Sequence, residues 1–356
     1  MGTAKHRAID LLRRRSMRDR KHQELGYELP QSQPPADVEP TGDIDDDLLR
    51  LIFTACHPLL PTDARVALTL RLLCGLTTGE IARAFLSAEP TIAQRIVRAK
   101  KTLAQAQVPF EVPQGDARAE RLSSVLEVIY LVFNEGYAAT AGSDWMRPAL
   151  CDEALRLGRI LAALMPREPE VHGLVALMEI QASRTRARTT SNGEPILLLD
   201  QNRALWDHLL IGRGLAALRR AESLGGSHGR YPLQAAIAAC HARARTAGDT
   251  DWPKIAALYG ELAALAPSPV VELNRAVAIG MAFGPEAALA LVDRLAGERS
   301  LANYHLLPSV RGDLLWKLRR FGEAREQFER AAALTGNARE RGLLLARARQ
   351  CDDSRE

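Results

Sequence analysis

Between residues 68 and 103 the chain breaks a helical pattern twice, and those two breaks restrict the fold more than any other feature of the sequence. Leu68, Leu72, Leu73 and Leu76 recur at helical spacing, so one face of a first helix is expected to be buried. Gly75 can close that helix. Thr77 or Thr78 can cap the next one, because a hydroxyl accepts from a free N–H of the first turn and Glu80 suits the positive helix end. Ile81, Ala82 and Phe85 then form its inner face. Ser87-Ala88-Glu89-Pro90 stops it, since a proline drives the preceding residue out of helical angles yet fits the first turn of a new helix.

The third helix therefore starts near Pro90. Ile92, Ile96, Ala99 and Leu103 share one stripe of it, while Thr91, Gln94, Arg95 and Arg98 lie mostly on other faces. This order of short helices is the layout of a helix-turn-helix. Arg and Gln can each make bidentate bonds to base edges in the major groove, and Lys100 and Lys101 suit phosphates, which add affinity without sequence information. From Arg65 to Lys101, Arg65, Arg71, Arg83, Arg95, Arg98, Lys100 and Lys101 face only Glu80 and Glu89, a local excess of five positive charges within a chain of net charge +4. An ordinary helical hairpin with a solvated basic face has the same spacing, so the pattern alone leaves both readings open.

At 356 residues the chain is expected to hold two domains. No apolar run approaches the roughly 20 residues a membrane helix needs, and no export signal opens the sequence. Cys56, Cys74, Cys151, Cys240 and Cys351 are scattered and form no CxxC pair, which argues for reduced structural thiols in a cytoplasm rather than a disulfide framework or zinc site. Residues 4–21 carry eight basic and two acidic residues, suited to a nucleic-acid-binding helix or to a solvated tail. Residues 26–47, with four prolines and a run of acids, read as a flexible acidic linker. Residues 48–108 are expected to form one compact helical unit.

The stretch LIFTACHPLLPTDARVALTLRLLCGLTTGEIARAFLSAEPTIAQRIVRAKKTLAQAQVPFEVP resembles region 4 of an extracytoplasmic-function sigma factor. Thr91, Ile92, Arg95, Ile96, Arg98, Ala99 and Lys100 stand in the slots of that family's recognition-helix motif. The resemblance implies promoter DNA as partner, read at the minus-35 element by Thr91, Gln94, Arg95 and Arg98, and core RNA polymerase as a second partner, docked through its beta flap. Pro90 stands where the family usually has Gly, and Ala93 and Gln94 where it often has Lys and Ser, which leaves the promoter sequence open. KHRAIDLLRRR is similar to the end of sigma region 2 and puts Arg13 and Arg14 among the expected DNA contacts. The remaining region 2 helices would lie before Met1. That implies a shortened chain, or a complete one unable to open promoters in the usual way.

The rest of the chain reads as helix after helix: 121–134, 150–165, 171–188, 201–224, 232–247, 252–265, 270–283, 286–295, 304–318, 322–334 and 338–349. From Trp252 the pieces pair at roughly tetratricopeptide length, which predicts a short solenoid, a non-repetitive bundle being the alternative. FNEGYAA, LCDEALRL, LDQNRALWD, LQAAIAACHA and SPVVELNRAVA look like the extension of a sigma-factor group with a C-terminal tetratricopeptide-like domain. In that group the extension influences activity, and a protein or peptide partner for it is implied. Two segments, 134–145 and 191–203, read as loops rich in Gly, Asn and acids. Glu135, Tyr137, Asp200, Gln201, Arg203 and Trp206 in and beside them are the candidates for a regulatory or domain-docking surface, although capping and core packing explain them equally well.

Little in the sequence suggests an enzyme. Cys56-His57 and Cys240-His241 are adjacent pairs, but neighbours on a helix diverge by about 100°, so thiol and imidazole would not face each other. No Walker A loop, HExxH or GxSxG occurs, and Asp45-Asp46-Asp47 lacks the alternation of a calcium loop. No metal or cofactor is expected. The expected architecture is all-α: a helix-turn-helix over 48–108 and a helical-repeat domain over 109–350, acting as a cytoplasmic sigma factor. A helical-repeat interaction scaffold, or a DNA-binding repressor working without polymerase, are the alternatives.

Overall fold

The computed structural model describes residues 42–85 and 87–353, with the side chains of residues 42–46, 83, 116 and 353 excepted. The expected basic helix of the first 25 residues, with Arg13 and Arg14, and most of the expected linker lie outside them. The described chain is all-α apart from one pair of two-residue strands, and it divides into two compact units. Among the described residues no helix is long and apolar enough to cross a membrane.

The first unit contains α1 (Gly42–Ala55), α2 (Thr62–Leu72), α3 (Thr78–Ala84) and α4 (Glu89–Gln105). It also contains α5 (Asp116–Tyr137) as far as Phe133, and residues 156–164 of α6 (Pro148–Leu164). The described helices run across two of the expected boundaries. Residues 42–47 are helical and belong to α1 rather than to a linker, with Asp47 3.2 Å from Arg50 one turn on. The compact unit that holds the helix-turn-helix continues past residue 108. Arg65 of α2 is buried and donates to Ser124 and Glu127 of α5, Ser124 donates to the carbonyl of Cys56, and Arg121 donates to the carbonyl of Phe53 at 3.0 Å. Buried polar groups need partners, and α5 supplies those that α1 and α2 lack.

Leu51, Ile52, Phe53, Leu68, Leu70, Leu73, Ile81 and Ile92 are almost fully buried. Leu72, expected in the core, is only half-buried, because α2 is instead covered around Val66, Ala67, Leu68 and Leu70. Gly75 has φ +70°, a left-handed conformation that other residues adopt at a cost, and it turns the chain out of α2.

The second unit holds residues 134–155 and everything from 165. Its helices are α7 (Pro169–Ala182), α8 (His208–Ser223), α9 (Arg230–Arg243), α10 (Trp252–Leu265), α11 (Pro269–Phe283), α12 (Pro285–Leu295), α13 (Leu306–Lys317), α14 (Phe321–Leu334) and α15 (Ala338–Asp353). α7 packs against both α8 and α9, and from α9 onward each helix packs on the next. Gly173 lets α7 and α9 approach closely: a Cβ there would sit 2.3 Å from Pro232 Cδ. Glu170 of α7 accepts from the backbone N–H groups of Arg230 and Tyr231 and so caps α9 from a neighbouring helix.

Two helices in particular are shorter than the sequence suggested. The helix expected over 171–188 ends at Ala182, where the Ser183 hydroxyl turns back onto the Ile180 carbonyl and Asp207 N–H takes the Ser183 carbonyl. The helix expected over 201–224 starts only at His208, because Asp207 accepts from Leu209 and Leu210 and fixes the N-terminus there. At the other end of the unit, residues Ala141–Gly142 pair in parallel with Gly336–Asn337. The Asn337 amide donates to the carbonyls of Ala139 and Asp144, so the unit's first loop is strapped to the start of its last helix.

Candidate nucleic-acid interface

The recognition-type helix is α4. Ala88 is its extended N-cap residue and Pro90 lies in its first turn, where the missing N–H costs nothing. Ile92, Ile96, Ala99 and Leu103 are its buried residues, the stripe expected from spacing. α3 is fixed by a reciprocal cap. Thr77 Oγ1 accepts from Glu80 N at 3.1 Å while Glu80 Oε2 accepts from Thr77 N at 2.7 Å. Thr78 Oγ1 donates to Glu89 Oε1 at 2.8 Å, tying the start of α3 to the start of α4 across the turn.

That anchoring presents a defined outer face. Thr91, Gln94, Arg98, Lys100 and Lys101 are exposed and Arg95 is half-buried. Thr91, Gln94, Arg98 and Lys101 follow one another at helical spacing and share a stripe, while Lys100 lies about 100° round the helix from Lys101. A groove of about 360 Å³ runs between α4 and the start of α2, lined among others by Pro61, Asp63, Thr91, Gln94, Arg95 and Arg98. Arg95 Nη2 is 2.9 Å from Asp63 Oδ2. Arg98 has no ion-pair partner among the described residues. The pairing of Arg95 with Asp63 was hidden from sequence reasoning because the two residues lie on separate helices. Val97 was also missed, although an apolar residue breaking a polar run is visible in the sequence; it is 64% exposed beside these residues, and an apolar group here suits a thymine methyl.

The six residues expected to form a regulatory surface in the second unit behave differently. Glu135 and Tyr137 stand on the last turn of α5, not in a loop, and Glu135 is buried between Arg147 and Thr140. Gln201 and Trp206 are buried, and Arg203 reaches inward to the carbonyls of His241 and Ala244 at 2.6 and 2.7 Å. Tyr137 is half-buried under the Arg188 guanidinium, 3.5 Å above its ring. Asp200 alone of the six is exposed. Five of these six side chains are therefore tied into loops and cores, with only Asp200 open to solvent.

The two Cys-His pairs are structural. Burial pushes the Cys56 thiol up to about 11, and its sulfur lies 3.3 Å from the Thr69 hydroxyl. His57 Nδ1 accepts from Leu59 N at 3.0 Å, so the ring closes a turn and has no thiol beside it to activate. Burial also raises the Cys240 thiol and, with the charges of Arg184 and Arg203, pulls His241 down to about 4. Protonated thiols of this kind are poor nucleophiles.

Residues 50–103 match the family model described as sigma-70, region 4, and residues 121–222 match a family of unknown function, DUF6596. An uncharacterized protein of Rhizobium meliloti (strain 1021) is 50% identical over 299 residues, covering 84% of this chain and 70% of that protein. No solved structure matches. The region 4 match spans α2, α3 and α4 with their caps, the same helices that build the outer face described above. The chain belongs to one family with the Rhizobium meliloti protein, and its residues 50–103 are similar to region 4 of the sigma-70 factors.

Proposed function

We propose that this chain is a sigma factor of the extracytoplasmic-function type that directs RNA polymerase to promoters. In this reading Thr91, Gln94, Arg95 and Arg98 read the minus-35 element, Lys100 and Lys101 hold its phosphates, and the unit docks on the polymerase beta flap. Arg13 and Arg14 contribute near the minus-10 element. The observation that carries the reading is the outward stripe of α4, where base-reading and phosphate-binding side chains stand together on a helix fixed by caps on both sides of its turn.

The second unit acts as a tetratricopeptide-like regulatory extension. The support is its one-after-another packing of helices from α9 to α15. The strap from Asn337 to the 139–144 loop closes its last helix onto its first loop.

The test is retention of purified bacterial core RNA polymerase on the immobilised chain, beside a version extended upstream of Met1 with a sigma region 2. Retention by both supports a sigma factor whose region 4 unit docks by itself. Retention by the extended form alone assigns docking to region 2. Failure of both moves the function to a repressor, or to a protein-interaction scaffold working without polymerase.

A further inference from the structure

Three arginines meet inside the second unit, and the one carboxylate charge acting on them is the exposed Asp249, which bears on Arg203 alone. Arg184 and Arg188 flank a 3-10 turn at Thr185–Ala187, and each is only 6% exposed. Arg184 lies 5.8 Å from the ring centroids of both Tyr137 and Trp206. Arg188 stacks on Tyr137 and faces Trp145 at 5.7 Å, and Arg203 covers Trp206 at 4.7 Å. Buried cations are ordinarily paired. Here Arg188 has the carbonyl of Tyr137, Arg203 has two carbonyls and the Thr250 hydroxyl, and Arg184 has no hydrogen-bond or ion-pair partner among the described residues. Burial lowers the proton affinity of Arg188 and Arg203, and the charge of Arg184 lowers both further.

Three of the unpartnered buried atoms in this cluster are donors, while Gln201 Oε1, two residues from Arg203, is an acceptor. Arg184 Nε, Trp145 Nε1 and Trp206 Nε1 are buried N–H donors without acceptors. His241 Nδ1, buried next to Arg184 and Arg203, also has no partner. An excess of positive charge and of N–H donors, flanked by aromatic faces, is what a carboxylate or phosphate oxyanion requires, because a guanidinium fork takes two oxygens at once.

We propose that the cluster of Arg184, Arg188 and Arg203 beneath Tyr137, Trp145 and Trp206 is a binding site for a small oxyanion-bearing molecule. Its arginines and aromatic residues fall inside residues 121–222, the segment shared with the family of unknown function, so the site offers that segment a ligand. The site is independent of polymerase or DNA binding and does not rest on the sigma-factor reading.

The test uses the whole chain and intrinsic tryptophan fluorescence, since Trp145 and Trp206 belong to the cluster. It is titrated with inorganic phosphate and, separately, with benzoate, against chloride at equal ionic strength, with melting temperature followed in parallel. A saturable fluorescence change and a rise in melting temperature with one of the two is expected. The phosphate and benzoate arms separate a phosphate from a carboxylate ligand. Arg184→Met should weaken the response at least about tenfold, the equivalent of one lost charge-assisted bond, while Met at the exposed Arg219 leaves it unchanged. If Arg184→Met does not fold by circular dichroism, Arg184→Lys replaces it. A lysine keeps the charge but not the fork, so it too should weaken binding. Wild-type affinity in Arg184→Lys overturns the site. So does the absence of any saturable response in the wild type, or an equal loss in the Arg219 variant. An unresponsive wild type with a more stable Arg184→Met would mean that the arginines form only an aromatic stack.

Discussion

The Asp63–Arg95 pair gives the proposed DNA-reading face an internal test. The two side chains are 57% and 31% exposed and 2.9 Å apart, so the pair is worth about 0–1 kcal/mol in water. A bidentate arginine contact to a base is worth about 1–3 kcal/mol. If Arg95 leaves Asp63 to reach the major groove, the two terms subtract, and Arg95→Ala should weaken binding by about 1–2 kcal/mol, roughly 5–30-fold. Arg98 gives up no partner, so Arg98→Ala should cost the full 1–3 kcal/mol, roughly 5–150-fold. Asp63→Asn removes both the competing partner and a negative charge from the groove, and should tighten binding up to about fivefold. It should do so only while Arg95 is present. The assay is fluorescence anisotropy with a duplex selected from a random pool by the protein itself, run as a double-substitution cycle over several salt concentrations. Lys101→Ala should lower the salt slope by about 0.9 without changing the preferred sequence. Equal affinities for wild type, Arg95→Ala and Arg98→Ala would remove α4 as the reading helix, and a weakening by Asp63→Asn would refute the competition.

Three further outcomes test the scaffold. Arg65→Met removes the hydrogen bonds from a buried guanidinium to Ser124, Glu127 and Thr62, and should lower stability in urea unfolding by about 2–3 kcal/mol; an unchanged midpoint would mean that α5 is held by apolar contacts alone. Gly173→Ala sets a methyl against the Pro232 ring and its backbone nitrogen, with Cβ only 2.3 Å from Cδ. It should lower the melting temperature by an amount equivalent to about 1–3 kcal/mol, and a stabilised variant would contradict the close α7–α9 approach. His241, held neutral in the fold down to about pH 4 against an ordinary value of 6.5, takes its proton more readily when unfolded. Stability should therefore be full above pH 6.5 and fall between 6.5 and 4 by about 3 kcal/mol. His241→Gln should flatten that part of the pH profile.

What the sequence made legible and what it hid differ by range. The caps of α3, the Pro90 start of α4 and the stripe of Ile92, Ile96, Ala99 and Leu103 are local: spacing and turn chemistry decide them within a few residues. The helix over Trp252–Leu265 was likewise legible to the residue, because Asp251 caps it through the Lys254 N–H. The hidden features all join distant positions. Arg65 with Ser124, Asn337 with the 139–144 loop and the three-arginine cluster leave no periodic trace. Polar residues that look like surface candidates in such stretches, Glu135 and Gln201 among them, can equally be internal ties, and only burial decides between the two.

The same distinction bears on what counts as the helix-turn-helix domain. Local pattern ends it at residue 108, yet Val125, Leu126, Val128 and Ile129 of α5 are all buried and lie in the same compact unit. At about 1.5–3 kcal/mol for each buried side chain, those four residues represent on the order of 6–12 kcal/mol, as much as the whole stability of a typical domain, about 5–15 kcal/mol. A fragment of residues 42–108 should therefore lack a cooperative transition by circular dichroism, while a fragment of residues 42–164, which restores α5 and the 156–164 segment, should regain one. If the shorter fragment melted cooperatively at the temperature of the longer, α5 would be an accessory to the helix-turn-helix unit. If only the longer one folds, α5 is part of the cooperative unit that holds the helix-turn-helix.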